Sequence, residues 1–218
     1  MRPAFGGYVS QTHSLSKHMK TLLSLAAGFA LAASAWAGPG NAPKAVTYKV
    51  DPAKSNITWV GKKVTGEHTG KISFSNGTIL TDGKAFTGGT FVVDMKSMTC
   101  TDISDAETNG KFLGHMTSPD FFDVTGHPTS KLVVTSVKKT GANTYNVTGD
   151  LTIKGTTKPV TFPATVTIAG NKVTAKADVT VDRTAYDIRY GSKKFFESIG
   201  DKAIFDEFEL KLDVVASK

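Results

Sequence analysis

A chain of 218 residues has room for one ordinary domain, or for one domain behind an N-terminal address. Its 39% hydrophobic and 21% charged residues describe a globular protein rather than a disordered or fibrous one, and its single cysteine, Cys100, excludes an intramolecular disulfide or any multi-cysteine zinc or iron–sulfur site. A net charge of +7 keeps a nucleic-acid partner open until the charges are located along the chain.

Residues 19–37 read MKTLLSLAAGFALAASAWA. Lys20 supplies a positive start, Leu22 to Ala33 an apolar run, and Ala35-Trp36-Ala37 a small-x-small cleavage signal. The run is shorter than the roughly 20 apolar residues of a spanning helix, so residues 1–37 read as a secretory signal peptide cut after Ala37. Gly38 follows instead of Cys, which gives no sign of a lipoprotein anchor. Met1 to His18 lack apolar periodicity and Met19 makes a conventional start, so residues 1–18 read as an over-extended start. The expected location is periplasmic or secreted. Removing residues 1–37 takes away Arg2, Lys17 and Lys20 and no acid, leaving 23 basic and 19 acidic residues that alternate in sign. That pattern gives no footprint for nucleic acid.

Residues 38–46, GPGNAPKAV, form a Gly/Pro linker, and residues 47–218 read as one domain. The chain carries 29 Thr and 19 Val, a β-rich composition. Period-two alternation marks strands at residues 56–63, 70–75, 78–81, 89–95, 132–138, 144–154, 160–168, 172–182 and from about 204 to 214. Asn76-Gly77, Asp82-Gly83, Gly141-Ala142-Asn143 and Ala169-Gly170-Asn171 read as hairpin-type turns between antiparallel neighbours. Alternation fails in two places. Residues 102–131 contain Ser104 followed three residues later by Glu107, a capping-box start for a short helix weakened by Gly110 and Gly114. Residues 184–202 are rich in aromatic and basic side chains.

About eight strands with one apolar face pack either as a two-sheet sandwich or as a barrel around an apolar interior. Inward positions on the later strands are often small (Gly149, Ala164, Ala175, Ala177), which leaves volume and favours the barrel. By parity Ile57, Trp59, Phe74, Phe91, Phe162 and Phe208 face that interior. Phe112, Leu113, Met116, Phe121 and Phe122 fall in the helical interruption and suit a plug or lid over one barrel end. Tyr186, Tyr190, Phe195 and Phe196, with Arg189, Lys193 and Lys194, suit a mouth that holds a ligand headgroup and meets a membrane surface.

The run GHMTSPDFFD, Gly114 to Asp123, followed by the GDLTIKG strand, resembles the YceI-like family of exported polyisoprenoid-binding proteins. So do the opening VDPAKSNITWVGKKVTGEHTGKISF and the closing VDRTAYDIRYG and IGDKAIFDEFELKLDVVA, a resemblance spanning about Tyr48 to Ala216. It implies an all-β fold, an antiparallel lipocalin-like barrel with a short helical insertion. It also implies a frequent dimer whose interior holds the tail of a quinone or polyprenyl lipid. Where the family typically carries Arg-Asp before its His-Leu motif, this chain has Phe112-Leu113-Gly114-His115-Met116.

Catalytic signals are thin. His68, His115 and His127 lack a ligand spacing such as H-x-x-x-H, so no metal site is expected. No G-x-S-x-G elbow or phosphate-cradling loop appears, Cys100 has no base beside it in sequence, and nothing places Glu67, Asp120 and Asp123 together. The expectation is a non-catalytic protein without a cofactor that sequesters or carries an isoprenoid in the cell envelope. The alternatives are a secreted structural or interaction β-domain with a filled core, and an enzyme acting on a lipid, which requires at least two of His68, His115, His127, Asp120 and Asp123 to converge at the cavity wall.

Overall fold

Alternating β-branched and polar residues build nine strands in the computed structural model, which describes residues 44–218. These are β1 (Val46–Val50), β2 (Asn56–Lys63), β3 (Gly66–Thr81), β4 (Phe86–Cys100), β5 (Thr129–Lys139), β6 (Thr144–Ile153), β7 (Thr156–Ala169), β8 (Lys172–Asp182) and β9 (Ile204–Ser217). One helix, α1 (Ala106–Thr117), lies between β4 and β5. The expected signal peptide, residues 1–37, and most of the expected linker, residues 38–46, fall outside the described residues.

All pairings are antiparallel, and each strand from β2 to β9 pairs with its successor in sequence. Pairing of β9 with β2 closes the ring. The result is an eight-position up-and-down barrel, which abolishes sheet edges. Of the two packings the alternation allows, the barrel is the one formed.

The ninth strand shares a position with β2. The first half of β3 pairs with β2 and its last four residues pair with β1, while β9 pairs with β2 and then, at Ala216 and Ser217, with β1. Pro52 breaks the strand between them, and Asp51 turns the chain by accepting the Ala53 amide (3.1 Å). Ser55 Oγ then takes the Val215 amide at 3.0 Å, stitching the gap to β9.

Three details depart from the sequence reading. Val46, the last residue of the expected linker, opens β1, a strand of five residues. Asn76-Gly77 is not a hairpin turn: residues 70–75 and 78–81 belong to one 16-residue strand with a register shift at Phe74/Asn76. A Cβ on Gly77 would lie 2.9 Å from Val50 Cγ2 and 3.1 Å from the Thr90 carbonyl, so close approach explains this glycine. The helix cap is Asp105 rather than Ser104, its carboxylate accepting the Thr108 amide at 2.8 Å.

A meander sends alternate connections to opposite ends. Short turns at 82–85, 140–143 and 170–171 gather at one end, where Tyr48 and Ile79 are buried and the Phe86 and Tyr145 rings meet edge-on at 5.7 Å. Tyr48 also donates its hydroxyl to the Gly170 carbonyl at 3.0 Å, tying β1 to the 170–171 turn. At the other end lie the β2–β3 and β6–β7 hairpins and the two long connections, 101–128 and 183–203. Lys154 and Gly155, both at positive φ, make the β6–β7 turn in two residues.

Candidate functional site

The barrel encloses a cavity of about 380 Å³. Every ring position contributes to its wall, and carbon dominates the lining. Ile57, Trp59, Phe74, Phe91, Phe162 and Phe208 all reach it from the strands. Ala164, Ala175 and Ala177 also line it, and their short side chains leave the space that larger residues on β7 and β8 would fill.

Helix α1 and the turn after it cover one end of this space. Phe112 lies 6.2 Å from Trp59, nearly parallel to it, and Phe122 meets Phe208 edge-on at 6.2 Å. Phe112, Met116, Phe121 and Phe122 all line the cavity. Leu113, grouped with them in the sequence reading, lies outside the cavity and packs, partly buried, against the core. One helical residue separates it from Phe112, a rotation of about 100° that turns the two side chains apart. Trp59 is held by its indole N–H, which donates to the Thr99 carbonyl at 3.1 Å. Its ring covers Gly70, where a Cβ would come within 2.6 Å of it.

The second break departs further from expectation. Tyr186 is not at a mouth: it is 1% exposed, it does not line the cavity, and burial pushes its phenol pKa upward. Phe195 and Phe196 lie outside the cavity with their rings half in solvent. The parity rule has no purchase here because the segment is not a strand. Arg189 is paired with Asp187 (2.7 Å) and lies over the Phe195 ring, and Lys194 is paired with Asp182 (2.9 Å). These cations are engaged within their own loop.

Arg183, not singled out in the sequence, organises the segment. Its side chain is 4% exposed and donates to the carbonyls of Ile188, Tyr190, Ile204 and Phe205 at 2.8–3.1 Å. Burial pulls its pKa down, while Asp206, 3.6 Å away, and Asp182 oppose that shift. One guanidinium therefore holds both ends of the 183–203 connection through fixed fork geometry. Its signal in the sequence is a lone arginine at the end of an alternating strand, where a solvated charge is the commoner outcome.

Polar chemistry at the covered end is paired by sequence neighbours and strand register. His68 bonds Asp102 at 2.8 Å, His115 bonds Asp120 at 3.2 Å, and His127 lies 3.8 Å from Asp123. His68 and His115 line the cavity, but each engages its own aspartate. Asp102 also accepts the Thr69 amide at 2.8 Å and the Cys100 thiol at 3.2 Å. Burial opposes its charge, yet these bonds outweigh it and hold the Asp102 carboxyl down at about 2. Cys100 is buried, and burial together with Asp102 pushes its thiol pKa up. Contrary to the sequence reading, Cys100 does have a histidine and a carboxylate beside it, brought there by the Gly70–Cys100 pairing of β3 with β4.

A closed antiparallel barrel with an apolar interior and one helix-covered end is a container architecture for small hydrophobic molecules. Within that class, this chain belongs to the YceI-like domain family, whose model matches residues 48–216. It is 39% identical over 153 residues to a UPF0312 protein of Pseudomonas putida, covering 67% of this chain and 72% of that one. A UPF0312 protein of Pseudomonas fluorescens is 57% identical over 51 residues, 23% of this chain and 27% of that one. Among solved structures, BcnA of Burkholderia cenocepacia matches with a TM-score of 0.63 at 28% identity, covering 77% of this chain and 99% of that one. A domain from Saccharophagus degradans, described as polyisoprenoid binding and implicated in plant cell wall breakdown, matches with a TM-score of 0.58. At 13% identity, over 78% of this chain and 97% of that one, the second likeness is one of fold.

Proposed function

We propose that the protein binds a hydrophobic isoprenoid, the tail of a quinone or polyprenyl lipid, inside its barrel and sequesters or carries it in the cell envelope. The observation that carries this reading is the carbon-lined cavity, walled by every ring position and roofed by α1. Family membership and the polyisoprenoid-binding description of the Saccharophagus degradans domain support the ligand class. Burying prenyl surface contributes roughly 25 cal/mol per Å² before association costs, so such a ligand needs no polar contact for affinity. The reading assigns no catalytic step and no cofactor.

Exchange takes place at the roofed end. Val64, Tyr190, Phe195, Phe196 and Phe205 are the exposed large apolar side chains among the described residues, and all five belong to the connections or strand ends there. Phe205 is half exposed and lines the cavity as well, so the apolar path from interior to surface passes it. A greasy rim on a barrel mouth suits transient contact with a membrane surface, from which a lipid enters without crossing water.

Native mass spectrometry of the protein purified from an exporting host, with lipid analysis of its organic extract, tests the reading. A stoichiometric adduct that extracts as a prenyl lipid is expected, and the same spectrum reads the monomer or homodimer. A clean apo mass with no uptake of added quinone or polyprenol overturns the carrier in favour of an interaction domain.

A further inference from the structure

His68, Cys100 and Asp102 place three donor atoms within 4.8 Å of one another at the root of α1. His68 comes from β3, Cys100 ends β4, and Asp102 opens the connection that leads into the helix. From this geometry we infer a binding site for a borderline-soft divalent ion of the zinc class, with imidazole Nδ1, thiolate Sγ and carboxylate oxygen as its protein ligands. The site is separate from the lipid reading and stands or falls without it.

The donor chemistry and the spacing fit the ion. Zinc–ligand bonds of about 2.0–2.3 Å in a tetrahedron put neighbouring donors roughly 3.3–3.7 Å apart. Here imidazole Nδ1 lies 2.8 Å from Asp102 Oδ2, and Sγ lies 3.2 Å from Oδ1. The two contacts use different carboxylate oxygens and the three donors lie within 4.8 Å of one another, so seating an ion turns the carboxylate and draws the imidazole and the thiolate towards a common centre. Mixed sulfur, nitrogen and oxygen donors discriminate against magnesium and calcium, which take oxygen alone. The His68 and Asp102 side chains are 28% and 31% exposed, which leaves a solvent route to a fourth, water-filled position.

Proton balance is simple. Asp102 accepts from the imidazole Nδ1–H. On binding, that proton shifts to Nε2, the thiol releases one proton to solvent, and the S–H bond is replaced by a metal–sulfur bond. The ion then takes over the role Asp102 plays now as the hub joining β3, the end of β4 and the α1 connection. Phe112 rides on the result, because its ring lies 4.7 Å from that of His68.

The test is a titration of the reduced, full-length protein with Co²⁺ and with Zn²⁺. One Co²⁺ per chain with a thiolate-to-metal charge-transfer band is expected, and Zn²⁺ binding should release one proton per ion. Cys100→Ser should remove the band and weaken Zn²⁺ at least about 100-fold, and Asp102→Asn should weaken it about 10-fold or more. Both variants should keep the circular dichroism of the parent. Absence of the band in reduced parent protein overturns the site. So does Zn²⁺ affinity unchanged in both variants, which would put the ion elsewhere.

Discussion

The two ends of this barrel use the same alternating strands for opposite purposes. At the end with short turns, Tyr48 and Tyr145 are buried, Ile79 and Phe86 form the floor of the cavity, and a tyrosine hydroxyl ties β1 to a turn. At the other end the roof is made by residues that belong to no strand, and the cavity beneath it reaches down to Ala164, Ala175 and Ala177 on the strand halves nearer the short turns. Strand periodicity decides which side chains point inward. Their sizes decide whether the inside is a core or a container. The roofed end keeps its shape through a few concentrated contacts, chiefly the Arg183 fork and the Trp59–Phe112 pair.

The largest predicted break in this division comes from Arg183→Met. It leaves four carbonyls without their donor and removes one of the two cations beside Asp206, the other being Lys194 at 3.7 Å, and should cost about 3–5 kcal/mol in denaturant unfolding. Hydrogen exchange should locate the loss in residues 183–205, and uniform loosening of the sealed end would contradict the proposed division. Ile79→Ala, on the cavity floor at the short-turn end, should cost roughly 2–4 kcal/mol by removing buried side-chain carbon, with ligand stoichiometry unchanged because the cavity only deepens. Phe112→Ala in the half-buried roof should reverse the pattern, costing about 1 kcal/mol while weakening ligand retention several-fold. Ala175→Trp sharpens the contrast: in a container the indole occupies free volume, so stability falls by about 1 kcal/mol or less and ligand binding drops at least tenfold. A loss of about 3 kcal/mol there would mean the interior is a filled core.

The smallest predicted effect concerns pH at the roofed end. Burial opposes the charge of Asp182, but bonds from the Thr184 hydroxyl, Lys194 and the Thr184 amide hold its carboxyl below the ordinary range. Its folded pKa lies under its unfolded one, so its stabilisation is complete above about pH 4 and fades as pH falls through the folded value. With the side chain 40% exposed, solvent screening limits this to about 0.5–1 kcal/mol. Comparing unfolding of the parent and Asp182→Asn at pH 6 and at pH 3 should show the difference shrinking at the lower pH.

Most strands of the barrel were legible because alternation is a property of neighbouring residues, and each strand pairs with its sequence neighbour. The exceptions have physical reasons. VTYKV alternates as well as any strand, but its five residues follow a Gly/Pro linker and stop at Asp51-Pro52, too short a run to stand out. Asn76-Gly77 has the composition of a hairpin turn, while its glycine serves the close packing of β3 against Val50 and β4. The cavity wall followed from parity in the middle of the strands, as with Phe74 and Phe162, but not at the start of β9, where Phe205 and Glu207 also reach it. Parity says nothing about Tyr186, Phe195 or Phe196, whose positions are set by loop closure around a buried arginine. The His68, Cys100 and Asp102 grouping was not legible either, since more than 30 residues separate the histidine from its partners until β3 and β4 pair.

Ring closure has one more consequence, and it concerns where the chain begins. Lys49 pairs with Ser217 and Val50 with Ala216, so the first and last strands of the barrel lie side by side. Joining residue 44 to residue 218 through a short flexible linker and reopening the chain in the exposed 140–143 turn keeps every strand beside its present partners. A barrel of this kind has a cyclic order and no first strand. A circular permutant cut there should fold to the same structure and leave the roofed end untouched.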